Sequence, residues 1–298
     1  MDPANQRDAE VEGDVSASTK GSDGAEAGAG VDKGSSDRSD RLIKKAWALM
    51  DAGQVEEARG AFEQAAASSR APARVWVEVG VASYQREDLE AAERAFERAT
   101  VADPGFLTAW NNLGRVRFAA GRHKEAIACY KEVLARDGDN YRAWLNSGLV
   151  MADLARWEQA VSCYDEALKA QREDPEALYR KGLALAGSGD RAGALIVYKS
   201  ALAYRLGFYD CRMAYGRALR EQGDPKGALV QLEAASEAGP RETAPRLLRG
   251  ELLLEAGRAT EARAVYEEAR ALDKDCPEAW RGVGRCLIAL GEEARGRL

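Results

Sequence analysis

Glycine recurs at a fixed interval of 34 residues through most of this chain. No insertion or deletion separates the members of this column, which are Gly80, Gly114, Gly148, Gly182, Gly216, Gly250 and Gly284. An alanine column has the same period and comprises Ala58, Ala92, Ala126, Ala160, Ala194, Ala228 and Ala262. A strict period of this length predicts stacked supersecondary units, each of which buries its apolar face against its neighbours.

The residues within one period resemble the tetratricopeptide repeat (TPR) family. That family's pattern includes an aromatic residue, Leu-Gly, Ala and a second aromatic at set places, and this chain supplies Trp110, Leu113, Gly114, Ala126 and Tyr130. With Trp110 as position 4, the repeats are 39–72, 73–106, 107–140, 141–174, 175–208, 209–242, 243–276 and a partial 277–298. The resemblance implies an all-α fold, a right-handed α-solenoid (superhelix) of about seven and a half helix-turn-helix repeats.

Residues 1–38 differ in composition from the repeats. They hold nine acidic and four basic residues with almost no large apolar groups, so we expect a disordered acidic tail. The whole chain has a net charge of −6, which leaves no basic excess for binding nucleic acid. No apolar run approaches the roughly 18 residues that span a bilayer, and the N-terminus lacks the apolar segment of a secretory signal. We therefore predict a cytoplasmic protein without membrane insertion.

The residue types that carry catalysis and metal binding are sparse. His123 is the single histidine, and it lies in a predicted turn, so neither a histidine metal site nor a Ser-His-Asp arrangement is favoured. The five cysteines show no CxxC spacing and are interpreted as small buried residues: Cys129, Cys163, Cys211, Cys276 and Cys286. No glycine-rich phosphate loop is present. We predict no enzymatic activity, no cofactor and no metal.

Each repeat is predicted to contain helix A, a turn, helix B and a second turn. Gly114 on helix A and Ala126 on helix B should allow close approach, with Trp110 and Tyr130 filling the space around them. A glycine series at the A-to-B turn is typical of left-handed helix ends, and Glu87 and Ala155 interrupt it. Prolines should lie at helix ends, with Pro72, Pro104 and Pro240 after helix B.

Several repeats depart from the family's pattern. The position-4 aromatic is replaced by Leu42, Leu178, Arg212 and Arg246. We therefore expect repeats 175–276 to pack less well at helix A, or to bury Tyr179 or Tyr215 instead. The partial last unit has the apolar residues Trp280, Val283 and Leu287, which could form an uncapped face or continue into a longer protein.

The resemblance also implies that helix A lines a concave inner face. Amide, arginine and aromatic side chains at inward positions favour an extended peptide, acidic or ending in a free carboxylate. The predicted peptide-binding residues are Tyr84, Asn111, Asn112, Arg115, Phe118, Arg142, Asn146, Tyr179 and Arg180. The alternative is that they contact their own neighbours, as Glu176 would contact Arg180. The set of residues that forms the carboxylate clamp of cochaperone TPRs is incomplete in this chain. Glu176 would in addition repel a carboxylate.

The favoured function is thus a non-enzymatic adaptor that binds a peptide segment of a partner protein. A second hypothesis is a structural scaffold that self-associates through its C-terminal repeat. A third is the substrate-recruiting subunit of an enzyme carried on another chain.

Overall fold

The computed structural model describes residues 33–69 and 71–291, which form fifteen α-helices and no strand. Their bounds are α1 Lys33–Asp51, α2 Val55–Ser68, α3 Pro72–Gln85, α4 Leu89–Ala102, α5 Leu107–Ala119, α6 His123–Leu134, α7 Tyr141–Asp153, α8 Trp157–Ala170, α9 Pro175–Ser188, α10 Arg191–Tyr204, α11 Tyr209–Glu221, α12 Pro225–Ala238, α13 Ala244–Glu255, α14 Ala259–Leu272 and α15 Pro277–Ala289. The predicted all-α helical repeat is confirmed. Odd-numbered helices are the A helices of the repeats, and even-numbered helices are the B helices.

The start of the repeat region differs from the prediction. Helix α1 begins at Lys33 rather than at Ser39, because extending an existing helix by a turn is far easier than nucleating one. Ser39 is already buried and donates a hydrogen bond to the Ala65 carbonyl, 3.2 Å away. The rest of the predicted disordered tail lies outside the described residues.

The contacts divide the chain into two compact units, Met1–Val150 and Met151–Leu298, with the division inside α7. In the first unit α1 packs on α2, α3 on α4 and α5 on α6, and α3 also contacts α5. In the second unit the corresponding pairs are α9 with α10, α11 with α12, and α13 with α14, followed by α15 against α14. Each unit is therefore a series of helical hairpins stacked in chain order.

Close approach within a hairpin depends on the glycine column, as predicted. A Cβ built on Gly114 would lie 2.5 Å from Cε1 of Tyr130, and one on Gly182 would lie 2.4 Å from Cε1 of Tyr198. Both tyrosine rings are essentially fully buried. Helices A and B can therefore touch only because these positions carry no side chain.

The A-to-B turns contain a left-handed residue at the position that the glycine series predicts. Glycines fill it at six turns with φ between 72° and 92°, and Glu87 and Ala155 fill it at φ 62° and 54°. These two are the non-glycine residues with positive φ in the described part of the chain. The turn geometry is thus kept even where the sequence does not favour it.

Replacing Ala155 by glycine is expected to raise the free energy of unfolding by about 1 kcal/mol, because an L-residue is strained in the left-handed region. Thermal denaturation followed by circular dichroism measures this. The reverse change, Gly121→Ala at φ 74°, is the matched control and should lower stability. A lower melting temperature for Ala155→Gly would contradict the strain argument.

Several position-4 residues donate a hydrogen bond to a preceding backbone carbonyl, and this bond does not need an aromatic ring. The indole nitrogens of Trp110, Trp144 and Trp280 donate to carbonyls six residues earlier, at 2.7–3.0 Å. Arg212 replaces tryptophan at this position, and its Nε donates to the Leu206 carbonyl, also six residues earlier, at 2.9 Å. Arg246 donates to the Glu242 carbonyl at 2.8 Å. The guanidinium therefore takes over the polar part of the tryptophan's role.

Helix A of repeat 175–208 lacks the position-4 aromatic residue and buries Tyr179 instead, which is one of the two predicted outcomes. Tyr179 is only 5% exposed and lies edge-on to Phe208, with 5.0 Å between ring centroids. Tyr215 packs half-buried against the same cluster. Pro72 follows helix α2, as predicted, and is also the first residue of α3. Proline at the first helical position loses no hydrogen bond.

A half-buried ion-pair network connects α4, α5 and the turn before α6. Arg117 binds Glu93 at 3.1 Å and Glu97 at 2.8 Å, and Arg122 donates a second hydrogen bond to Glu93. The Glu93 and Arg117 side chains are only 16% and 18% exposed. The network joins repeats 73–106 and 107–140 through Glu93 and Arg117, which are largely removed from water, and through the more exposed Glu97 and Arg122.

Candidate functional site

The nine predicted peptide-binding residues are distributed over both units. Tyr84 lies on α3, Asn111, Asn112, Arg115 and Phe118 on α5, and Arg142 and Asn146 on α7, all in the first unit. Tyr179 and Arg180 lie on α9 in the second unit. We use the name A-helix surface for the part of the first unit formed by α3, α5 and α7.

Most of the predicted residues on the A-helix surface are half-buried. The Arg115 guanidinium lies over the Tyr84 ring, 5.7 Å from its centroid, which is near the outer limit of a cation–π contact. Phe118 lies edge-on to His123 at 5.8 Å and also packs against the core cluster around Tyr130. Asn112, Arg142 and Asn146 are half-buried.

Asn112 and Asn146 occupy the same repeat position on neighbouring A helices. No hydrogen bond joins either amide to another residue in the described part of the chain. Each amide can donate two hydrogen bonds and accept others, so both retain their full bonding capacity. Two such amides, one on α5 and one on α7, can hold a polar ligand that crosses the two helices.

The structure corrects the predicted position of Asn111, which is buried and not exposed on the A-helix surface. It is 7% exposed, and its Nδ2 donates to Oδ1 of Asn140, 3.4 Å away, so it lies between α5 and the start of α7. Asn140 cannot turn over, because its Oδ1 also accepts from the Ala143 backbone N–H at 3.0 Å and its Nδ2 donates to Asp137 at 2.8 Å. Asn111 must therefore present its nitrogen to Asn140, and its oxygen faces the other way.

Two buried side-chain oxygens have no hydrogen-bond partner among the described residues: Oδ1 of Asn111 and the hydroxyl of Tyr130. Burial raises the pKa of Tyr130 far above its ordinary value, although the charge of Arg115 acts to lower it. From the sequence, Tyr130 was predicted only as a packing residue, and Asn140 was given no role. The one available signal was an asparagine three residues before Ala143 at a helix start, a typical capping pattern.

The structure also corrects the predicted ligand-binding role of Tyr179 and Arg180. Tyr179 belongs to the core of the second unit, as described above, because it fills the space left by the missing aromatic at position 4. Nε of Arg180 lies 2.6 Å from Oε1 of Glu176, and only 11% of the arginine side chain is exposed. The alternative interpretation of this residue is thus confirmed, since Glu176 neutralises the charge that a carboxylate ligand would need.

The cysteines have the environment of packing residues. Cys129, Cys211, Cys276 and Cys286 are buried, while Cys163 is half-buried, and all five are free thiols. Burial raises the pKa of Cys163 to about 11 and that of Cys211 to about 12. Both thiols are therefore protonated at neutral pH and are poor nucleophiles.

Two other kinds of feature are absent from the described residues. They contain no group of three or more His, Cys, Asp or Glu side chains that could hold a metal ion. Within the same residues, no helix has the length and apolar character that crossing a membrane requires.

The family pattern of the tetratricopeptide repeat matches residues 43–106, 84–141, 213–275 and 247–297, and a second pattern with the same description matches 117–181. Together these matches cover well over half of the chain. The chain belongs to the tetratricopeptide repeat family. TPR proteins generally mediate interactions between proteins.

Solved TPR structures share this fold at low sequence identity. YrrB, described as a TPR protein with an unusual peptide-binding site, is 21% identical with a TM-score of 0.52, covering 63% of this chain and 97% of its own. PilF of Pseudomonas aeruginosa is 20% identical with a TM-score of 0.61, covering 70% and 94%. A TPR protein from Parabacteroides merdae is 14% identical with a TM-score of 0.58, covering 84% and 99%. No curated protein matches the sequence.

Proposed function

We propose that this TPR protein is a non-enzymatic adaptor that binds an extended segment of a partner protein on the A-helix surface. The observation that carries the proposal is the pair of half-buried, unbonded amides, Asn112 on α5 and Asn146 on α7. A peptide unit offers one N–H and one C=O, and a carboxamide side chain can satisfy both. The two amides can hold a peptide backbone without breaking any internal hydrogen bond.

Neighbouring residues add an apolar and a charged component. Tyr84 and Phe118 share one repeat position on α3 and α5, so they give a similar aromatic contact on successive A helices. Arg115 and Arg142 place positive charge on the same surface, which suits acidic residues of the segment beyond the amides. The fold-level likeness to YrrB, a protein with a peptide-binding site, is consistent with this function.

The experiment begins with selection of a phage-displayed random peptide library on the purified full chain. Affinities of selected peptides are then measured by fluorescence anisotropy for wild type and for Asn112→Ala/Asn146→Ala. We expect the double variant to bind about tenfold or more weakly, because each lost hydrogen bond is worth roughly 1 kcal/mol.

The matched control is Gln159→Ala, an exposed amide on α8, which should leave affinity unchanged. Circular dichroism confirms that the variants keep their helices. A library that yields no binder, or peptides bound equally by the double variant, would refute the proposal.

The scaffold hypothesis has less support in the second unit. Val283 and Leu287, which were expected to form an uncapped apolar face, are buried against Leu253 and Tyr266. Trp280 is 52% exposed, but its ring stacks with Arg270 at 4.4 Å. Self-association through α15 remains a prediction that light scattering tests, since a mass independent of concentration would exclude it.

A further inference from the structure

The second unit exposes large aliphatic side chains on its B helices. Repeat position 22 is occupied by Ile196 on α10 and Val230 on α12, which are 69% and 60% exposed. The B helices α2, α4 and α6 of the first unit hold Gly60, Arg94 and Ala128 at the same position. A lone exposed aliphatic residue has little meaning, but two in one row on successive B helices indicate an interaction surface.

An open cleft lies beside Val230, between the B helices α12 and α14, and we call it the outer cleft. Its volume is about 320 Å³. Its apolar lining consists of Leu229, Val230, Leu253, Ala264 and Val265. Leu253 and Val265 belong to the buried core of the unit, so packing fixes the floor of the cleft. The outer cleft is therefore a preformed depression that a large aliphatic side chain can fill.

The rim of the outer cleft carries an excess of negative charge. Three carboxylates line it against two guanidinium groups, and the five residues are Glu233, Glu261, Glu268, Arg249 and Arg258. Two of the carboxylates pair with those guanidinium groups at 2.9 and 2.6 Å, whereas Glu268 has a longer contact, 3.6 Å from Arg246. A positively charged group that approaches the cleft from solvent is therefore attracted.

The feature that complements this cleft lies one B helix away. Lys199 follows Ile196 by about one turn of α10, and both residues are exposed. Lys199 makes no hydrogen bond or ion pair with another residue in the described part of the chain. An Ile196 side chain inside an outer cleft would thus bring a free ammonium group to the acidic rim. The same unit carries an aliphatic residue, a positive charge and the cleft that fits them.

We propose that the second unit forms a symmetric dimer with a second copy of this chain, in which Ile196 of each copy fills the outer cleft of the other. A two-fold axis parallel to the B helices, between α10 and α12, exchanges the two contacts and keeps equal repeat positions level with one another. Ile196 then lies beside Val230 and Ala264 of the second copy, and Lys199 faces Glu268. Because both copies use the same surface, the assembly closes at two chains.

Sedimentation equilibrium of the full chain at rising concentration tests the dimer. We expect the average mass to rise toward twice that of one chain and to stop there. Ile196→Asp places a charge in the apolar cleft and should weaken the dimer about tenfold or more, with the helices kept by circular dichroism. The matched control is Ala128→Asp, at the same repeat position of the first unit and also exposed, which should change nothing.

Three results would overturn the proposal. A wild type that stays monomeric would do so, whichever other chain then covers the cleft. Growth beyond two chains would exclude the two-fold contact. A dimer that Ile196→Asp leaves intact would place the self-association elsewhere, for example at α15.

The charge contact has its own test in the same measurement. Lys199→Glu sets a carboxylate against the acidic rim and should weaken the dimer about tenfold at low ionic strength and less in high salt. Lys131→Glu is the matched control, because Lys131 is exposed at the same repeat position on α6. Equal effects of the two lysine variants would refute the role of Lys199.

Cysteine cross-linking tests which residues meet. Chains with Ile196→Cys, mixed with chains with Ala264→Cys and oxidised, should form a disulfide-linked pair, because the two positions meet only between copies. Each variant alone supplies half of the contact and should stay unlinked, as should the wild type, in which Cys163 is half-buried and the other four cysteines are buried. A mixture that links no better than either variant alone would refute this geometry.

Discussion

Replacing Gly114 by alanine is expected to lower the free energy of unfolding by about 2 kcal/mol. The new Cβ would lie 2.5 Å from the Tyr130 ring, which is fully buried and cannot swing away, so α5 and α6 would have to separate. Overpacking of this kind costs about 1–3 kcal/mol or more, and the better helix propensity of alanine returns only part of it. Urea denaturation followed by circular dichroism measures the difference.

Gly60→Ala is the matched control for this prediction. Gly60 lies inside α2, and a Cβ there would meet no atom within 4 Å. The same substitution should therefore stabilise the protein by up to about 1 kcal/mol through helix propensity alone. If both variants shift stability in the same direction, the close approach of α5 and α6 does not explain the glycine column.

Glu93→Gln is expected to cost about 2 kcal/mol at neutral pH. Glutamine keeps the size of the side chain but removes the negative charge that Arg117 and Arg122 share, and the Arg117 side chain, 18% exposed, retains Glu97 as a charged partner. Removing one member of a buried pair costs several kcal/mol, while an exposed pair is worth about 0–1, and this network lies between those limits. The matched control is Glu97→Gln, at a side chain 48% exposed, which should cost under about 1 kcal/mol.

The stability difference between wild type and Glu93→Gln is expected to depend on pH. Burial alone would raise the pKa of Glu93, but hydrogen bonds from Arg122 and Arg117 outweigh it and hold the pKa below the ordinary 4.5. A carboxyl whose pKa is lower in the folded state stabilises the protein above its unfolded pKa and loses that effect as the pH falls through its folded pKa. The stability gap between wild type and Glu93→Gln should therefore be constant near neutral pH and close below about pH 4.5. A gap that persists in acid would show that shape, not charge, causes it.

Much of the fold could be predicted because two glycine positions in each repeat have a direct geometric cause. One glycine allows helices A and B to touch, and the other allows the left-handed turn between them. Gly114 predicted the close contact with helix B, where Tyr130 lies, and the turn glycine series predicted the left-handed residue of the A-to-B turn. That Glu87 and Ala155, which interrupt the series, adopt the same conformation is a finding of the structure. Such rules are local, since they relate residues within a single hairpin. The sequence supplies them directly once the period is known.

The candidate site was harder to predict because burial is decided between repeats. Tyr179 was assigned to a ligand, but the absence of a position-4 aromatic draws it into the core against Phe208. Asn111 was assigned to an open surface, but the cap at Asn140 holds it between two helices. Arg180 pairs with Glu176, four residues earlier on the same helix. This contact could be predicted from the sequence, where it was the alternative to ligand binding.

The arginine that stands in for tryptophan in α11 affects how such arrays are recognised. Arg212 donates to the carbonyl six residues earlier, as Trp110 does in its own repeat. A hairpin can therefore hold the preceding connection in place without an aromatic residue at position 4. The matched segments of the family patterns leave residues 182–212 uncovered, although α10 and the start of α11 lie there. The match resumes at residue 213, directly after Arg212, so a hairpin with a charged anchor is still recognised by its remaining residues, and its arginine keeps a hydrogen bond that no aromatic signature would identify.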